Sequence, residues 1–416
     1  MTQVKRGKGF LNTPGPTNVP DRVLSAMHTP AVDLNDPRLL DTVASCFEDM
    51  RTVFRTREGR IFMYITNGHG AWEAALVNVL SPGDRLLVPE TGNFSAGWRD
   101  VAAAYGAEIE EIPNDWRKAI QPAQIAERLA ADKDKKIKAV LLVHTDTAVG
   151  ITADVKAVRE AMDKIGHPAL LMVDTIASLG TVDFRMDDWG VDVAVAASQK
   201  GLMMPPGLGF VAAGPRAIEA HKKATAPRRY WDWGARLEPE SYRKFCGTAP
   251  EHHMFGMRAA LDMLLEEGLE NAFRRHQMLA DATRAAIEVW SKANVLSFNA
   301  VNPAERSNGV TTILVADGYD GAAIREVARE VFQTGLGGGL GKLNGKAFRI
   351  GHMGDMNEPM LLGALSAVEA TLSYLDIPYE RGGVDAAIRS IAAARKRMDQ
   401  ASSPITLVTP GTKPAA

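Results

Sequence analysis

Two periods alternate along the chain. Short runs apolar on both faces give way to segments in which apolar residues return every three or four positions, and then the pattern repeats. "IFMYIT" (61–66) is the first short run, and "AWEAALVNVL" (71–80) behind it has helical spacing. "RLLVPE" (85–90), "AEIEEI" and "IKAVLLVHT" (137–145) read as strands. "FSAGWRDVAAAYG", "PAQIAERLAAD" and "ITADVKAVREAMDKIG" read as helices, the last with an acidic first turn. "ALLMVDT", "VDVAVAAS" and the run from Leu208 to Ala213 complete the set. Runs apolar on both faces and separated by helices predict an α/β fold on a mainly parallel sheet covered on both sides. Active sites in such sheets gather at the carboxyl ends of the strands.

The flanks differ. "LNTPGPTNVP" (11–20) reads as an extended arm rather than a regular element, either a surface linker or a place where backbone approaches a ligand. Arg22 to Thr56 is mainly helical, with "TPAVDLNDPR" as a break. After Pro250 comes a long helical region broken near Gly268. "GVTTILVA", "GAAIREVAREVFQ", "KAFRIGHMG" and "PMLLGALSAVEATLSYL" then predict a smaller α/β unit. A chain of 416 residues is long for one domain. The expected division is an N-terminal arm (1–20), a large domain (21–265), a small C-terminal domain (266–380), and a closing helix with a frayed, disordered tail (381–416).

A formal net charge of −2 gives no basic field to recruit nucleic acid or an anionic membrane, so neither is expected as a partner. The two cysteines, Cys46 and Cys246, are far apart, which excludes a disulfide framework and fits a reducing compartment. The basic N-terminal stretch lacks the apolar core of a signal peptide, and no run nears the roughly 18 apolar residues that span a bilayer. A cytoplasmic enzyme is the expectation.

Three strand ends carry candidate chemistry. "IFMYIT" ends at Asn67-Gly68-His69-Gly70 just before a helix, and free amides at a helix N-terminus suit a phosphate. Gly-rich turns of this kind are common, and this one is neither a P-loop nor a dinucleotide fingerprint. "ALLMVD" ends at Asp174, which is either a turn former or a buried carboxylate facing a cation such as a basic ring nitrogen. "VDVAVAASQK" ends at Lys200. Most lysines are solvated, but this one lies between apolar runs, where desolvation would lower its pKa and make it a nucleophile. Together the three describe a pyridoxal phosphate site. Residue types and spacing alone leave this reading and a purely structural one both open.

The sequence resembles the fold-type I, class V aminotransferases of the serine–glyoxylate and alanine–glyoxylate group. The stretches that carry the likeness are "PGPTNVPDRV", "GHGAWEAALVNVLSPGDRLL", "HPALLMVDTIASLG", "DDWGVDVAVAASQKGLMMPPGLG", "EEGLENAFRRH" and "GKAFRIGHMGDMNE", spread over residues 11 to about 375. The resemblance implies a large domain with a mainly parallel seven-stranded sheet flanked by helices, a smaller α/β domain, and pyridoxal 5'-phosphate as cofactor. It implies that Lys200 is the Schiff-base lysine and Asp174 the partner of the ring nitrogen. Asn67, Gly68, His69 and Gln199 would surround the phosphate, with Phe94 and Ile176 on opposite ring faces and Thr147 at the phenolic oxygen. Arg349, with backbone near Pro14 and Gly15, would hold the substrate carboxylate, a task for which a planar guanidinium suits better than an ammonium. Thr248 would reach the phosphate in the neighbouring subunit of a homodimer. His144 and His352 have no assigned role and read as structural.

The implied reaction moves an amino group from a small amino acid (serine, alanine or aspartate) to glyoxylate or a similar 2-oxo acid, by a ping-pong route. The chain departs from the serine–glyoxylate pattern at Leu34 to Pro37, where the family has an "HRS"-like stretch. It departs again at Cys246 to Ala249, where the family has Pro-Tyr-Thr-Pro. Glu251, His252 and His253 follow and could supply other polar contacts. "DLNDP" and "HTDTAVG" resemble pyridoxamine–pyruvate aminotransferase instead, the second reading. A class V lyase or desulfurase is a third, the desulfurase needing a reactive cysteine on a mobile loop, for which Cys246 is the only candidate near the pocket.

Overall fold

The computed structural model describes residues 5–237 and 241–401, and the tail expected beyond the closing helix lies outside them. The strands of the first half are Phe10–Asn12 (β1), Arg60–Thr66 (β2), Arg85–Pro89 (β3), Glu108–Ile112 (β4), Ile137–Val143 (β5), Thr145–Asp146 (β6) and Ile151–Thr152 (β7). The remaining strands are Leu170–Asp174 (β8), Val193–Ala197 (β9), Gly207–Ala213 (β10), Leu296–Phe298 (β11), Val310–Val315 (β12), Thr334–Gly338 (β13) and Ala347–Gly351 (β14). Seven of them form one sheet in the order β2-β10-β9-β8-β5-β3-β4. All neighbours are parallel except β10, which runs antiparallel to both β2 and β9. β2 therefore points the same way as the parallel strands, and the carboxyl ends of β2, β3, β5, β8 and β9 share one edge.

Burial explains the strand composition. β5, β8 and β9 are buried almost throughout, because helices cover both faces and leave no polar side. One face packs Val43, Phe54, Leu142 and Met257, and the other packs Trp72, Leu76, Trp98 and Val211. The helix Gly68–Val79 is apolar nearly all round and buried, as a helix at the middle of a layered core must be.

A second sheet, ordered β1-β13-β14-β12-β11, is backed by the helices Leu269–Trp290, Glu358–Tyr374 and Gly383–Ala401 over their own apolar core. Two expectations are corrected here. The N-terminal arm is not wholly irregular, since Phe10–Asn12 pairs parallel with Thr334–Leu336 as an edge strand. "IKAVLLVHT" is not one strand either. It stops at Val143, and Thr145–Asp146 pairs with Ile151–Thr152 in a separate small hairpin. The next helix consequently starts at Val155, and Asp154 caps it by accepting from the Ala157 N–H at 2.9 Å rather than lying in its first turn. The two sheets are bound together by Asn299, whose amide donates to the carbonyls of Trp116 and Val149 at 2.9 Å each. Among the described residues no helix is long and apolar enough to cross a membrane.

His352, expected to be structural, is fully buried between the Thr311 hydroxyl (3.0 Å) and the Asn308 carbonyl (2.8 Å). Burial, with Arg284 nearby, pushes its pKa down to about 3. The folded protein therefore binds one proton fewer here than the unfolded chain at any pH between that value and about 6.5. Stability is full above the unfolded pKa and falls as acid is added. Relative to His352→Gln, the wild type should lose about 2 kcal/mol between pH 7 and pH 5, read by denaturant unfolding at both pH values.

Candidate active site

The strand ends converge on a cavity of about 300 Å³ lined by Gly15, Asn67, Gly68, His69, Trp72, Phe94, Thr147, Asp174, Ile176, Gln199 and Lys200, among others. Eight positions expected from the sequence around the cofactor, from Asn67 to Gln199, thus come together with Lys200 although they lie on five different segments.

Lys200 follows β9 by three residues, and its ammonium donates to the Pro14 carbonyl. The N-terminal arm is what delivers that carbonyl. β1 anchors the arm in the small sheet, and beyond it the Thr17 N–H donates to the Gln199 carbonyl and the Thr17 hydroxyl to that of Lys200, both at 3.2 Å. Gly15, at φ +106°, passes so near that a Cβ there would run into the Lys200 side chain. Burial, and then the Arg349 charge, lower the Lys200 pKa to about 8, against the pull of Asp174 and Asp146.

Asp174 ends β8 and is 3% exposed. Its Oδ1 accepts from the Ile176 N–H at 2.7 Å and its Oδ2 from the Trp72 indole N–H at 2.9 Å. Burial dominates and raises its pKa to about 7. Of the two readings open at the sequence level, the structure supports a buried carboxylate that also closes a turn. Asn67 caps the helix Gly68–Val79, its Oδ1 accepting from His69 N–H at 3.0 Å and more weakly from Gly70 N–H at 3.5 Å. These are the donors that an anion's oxygen would use at this helix end. Gln199 Oε1 is buried at the cavity with no hydrogen-bond partner among the described residues, which marks a surface shaped for a polar ligand.

Arg349 stands on β14 beside an adjoining cavity that it shares with Pro14 and Gly15. It is 7% exposed, donates from Nε to the Gly338 carbonyl (2.7 Å) and from Nη1 to the Thr147 carbonyl (3.0 Å), and keeps Nη2 free among the described residues. Burial lowers its pKa to about 10, so it stays charged at neutral pH.

Other candidates lie away from the cavity of their own chain. Thr248 is exposed and does not line the cavity. Glu251 accepts from the Val32 N–H and His252 meets the Thr29 carbonyl, so both serve the segment between the first two helices rather than the cavity. His253 reaches only the rim, 3.4 Å from the Pro206 carbonyl. His144 is buried against Phe184 and Trp189 with its pKa pushed down to about 4, as a structural histidine. Cys46 is buried with its thiol pushed up to about 12, and neither cysteine lines the cavity. Two polar residues went unnoticed in the sequence. Asp146, 2% exposed, accepts from Phe94 N–H (2.8 Å), Ser95 N–H (3.3 Å) and Ala148 N–H (2.9 Å), and so fixes the Phe94 helix against the cavity. Its signal was an acid inside "HTDTAVG". Trp72 read only as an apolar helix position.

A buried amine, a buried acid and a helix N-terminus around one cavity, on a mainly parallel seven-stranded sheet, define a pyridoxal-phosphate-dependent enzyme of fold type I. The chain belongs to the aminotransferase class-V family, whose profile matches residues 10–331. It is 41% identical to serine–glyoxylate aminotransferase of Methylorubrum extorquens over 371 residues, 88% of this chain and 91% of that one. It is 38% identical to L-aspartate–glyoxylate aminotransferase of Paracoccus denitrificans, over 92% of this chain and 97% of that one. The crystal structure of pyridoxamine–pyruvate aminotransferase from Mesorhizobium loti superposes with a TM-score of 0.85 at 26% identity, covering 94% of this chain and all of that one. The chain is an aminotransferase, and its cofactor is pyridoxal phosphate.

With its amine titrating near 8, Lys200 in cofactor-free protein should undergo reductive methylation by formaldehyde at a rate that levels off near that pH. Surface lysines should keep gaining reactivity toward about pH 10. Peptide mapping of the labelled protein separates the two.

Proposed function

We propose that this aminotransferase moves the amino group of a small amino acid (serine, alanine or aspartate) to glyoxylate or a similar small 2-oxo acid, in two half-reactions. The observation that carries the reading is the placement of Lys200, its amine enclosed beside Asp174 and Arg349 with its pKa drawn down to about 8. The 38–41% identity to two glyoxylate aminotransferases, against 26% to the pyridoxamine–pyruvate enzyme, favours a glyoxylate acceptor.

Bound pyridoxal phosphate supplies an aldehyde that condenses with amines and a ring that draws electrons from the adjacent carbon. The residues present fit that group. The helix N-terminus at Asn67, Gly68 and His69, with the Gln199 amide beside it, would receive a phosphate. Asp174 would pair with the protonated pyridine nitrogen, a charge that would favour its ionised form. Phe94 and Ile176 line the cavity where the ring faces would lie, and Thr147 supplies a hydroxyl for the phenolic oxygen.

Lys200 would hold the aldehyde through its amine, which is near neutral when free. Its Nζ takes the proton from the substrate's α-carbon and releases it one position on, so a single group serves as base and then acid. Arg349 orients the α-carboxylate through its free Nη2, with the Pro14–Gly15 backbone closing over it. The Pro14 carbonyl keeps the amine pointed into the cavity. In this reading two chains form a homodimer, Thr248 of each reaching the phosphate in the other. A large unit at 21–265 and a small one at 266–380 hold the site between them. Two free cysteines suit a reducing cytoplasm.

The test is a half-reaction screen. Serine, alanine, aspartate, glycine and pyridoxamine are each mixed with the loaded protein, and labelled glyoxylate is then added. Conversion of glyoxylate to glycine with one of the first three supports the proposal; reaction with pyridoxamine alone defeats it. Lys200→Ala should abolish turnover and the pyridoxyl mark that borohydride leaves on position 200 in the wild type, as seen by mass spectrometry. Arg349→Ala should weaken amino-acid binding by about 2–5 kcal/mol while leaving cofactor affinity nearly unchanged, measured by steady-state kinetics and cofactor titration.

A further inference from the structure

Trp72 is 1% exposed and packed on three sides by aromatic rings. Its indole stacks on Trp98 (6.1 Å between centroids, 18° between planes) and meets His69 at 4.7 Å and Phe94 at 6.3 Å. The orientation of its N–H is therefore held by packing. That N–H donates to Asp174 Oδ2 at 2.9 Å across 102 residues of sequence. The bond does not follow from burial alone, because the buried indole N–H groups of Trp98 and Trp233 have no hydrogen-bond partner among the described residues. The other donor to Asp174, the Ile176 N–H, belongs to the local turn and is present whatever side chain stands at 176.

We propose that Trp72 is a positioning residue, its indole N–H fixing the charge and orientation of the Asp174 carboxylate so that the acid can grip the cofactor's ring nitrogen. The proposal deepens the role given to Asp174 above and rests on it. The geometry supports it in two ways. One carboxylate oxygen is tied by backbone and the other by an immobile side chain, which leaves the group no rotation. Both bonds also favour the ionised form against the burial that opposes it.

The experiment compares dissociation constants of pyridoxal phosphate and of its 1-deaza analogue, in which C–H replaces the ring nitrogen. Each is measured by equilibrium titration on the cofactor-free full chain. The variants are Trp72→Phe and a chain carrying 3-benzothienylalanine at position 72, which keeps the indole's shape but replaces N–H by sulfur and guards against a packing failure. The wild type should bind the true cofactor far more tightly than the analogue. Each variant should lose about tenfold of that preference, the scale of one hydrogen bond to a charged group, with analogue binding unchanged. Equal weakening of both ligands in the benzothienylalanine chain, or an unaltered preference, overturns the proposal, since a merely structural tryptophan would act on both alike. A wild type with no preference would instead show that Asp174 does not hold the ring nitrogen, and the inference would fall with that reading.

Discussion

The structure turns on the burial of two opposite charges at neighbouring strand ends. An isolated ammonium or carboxylate in an apolar interior costs several kcal/mol even after relaxation, and a nearby opposite charge repays only part of it. Lys200 and Asp174 follow that rule. Burial is the largest influence on each, drawing the amine down to about 8 and the acid up to about 7, so both approach neutrality from opposite sides. A pair kept for stability alone would be replaced at no loss by apolar side chains of the same volume. Near-neutral groups facing one cavity are what proton movement and imine chemistry require.

The rest of the fold serves to hold that pair. Parallel strands bring their carboxyl ends to one edge, so the groups following β2, β3, β5, β8 and β9 surround a common space. The small sheet contributes from the other side through Arg349 and through the arm whose first strand is its edge. The arm therefore has one end in each half of the molecule. Its Pro14 carbonyl receives the Lys200 amine, and Gly15 lets the backbone lie against the Lys200 chain. A bulkier backbone there would meet the lysine directly.

Around the pair, the polar groups divide into those satisfied by the protein and those left for a ligand. Asn67 caps its own helix, Asp146 caps the helix that carries Phe94, and Asn299 ties the sheets together. Gln199 Oε1 is left over at the cavity, and Arg349, beside the adjoining one, keeps an Nη2 without a partner among the described residues. Buried polar groups are rarely left unpaired without a functional reason.

Much of this was legible along the chain because its signals are local. Period and apolar runs placed the seven strands of the main sheet, the helix break at Gly268 and the strand ends at Asn67, Asp174 and Lys200. What could not be read has a common cause. β13, "TGLGG", has almost no apolar side chains, and β1 is three residues long. Both are strands because a neighbour supplies their hydrogen bonds, not because of what they contain. Asp146 and Trp72 went unnoticed, since the partners that reveal them lie 52 and 102 residues away. The linear order of residues thus determined which groups could do chemistry and which layers would form. Only the folded chain decided which donors meet which acceptors, because hydrogen bonds across a sheet or a cavity depend on distances that no sequence period encodes.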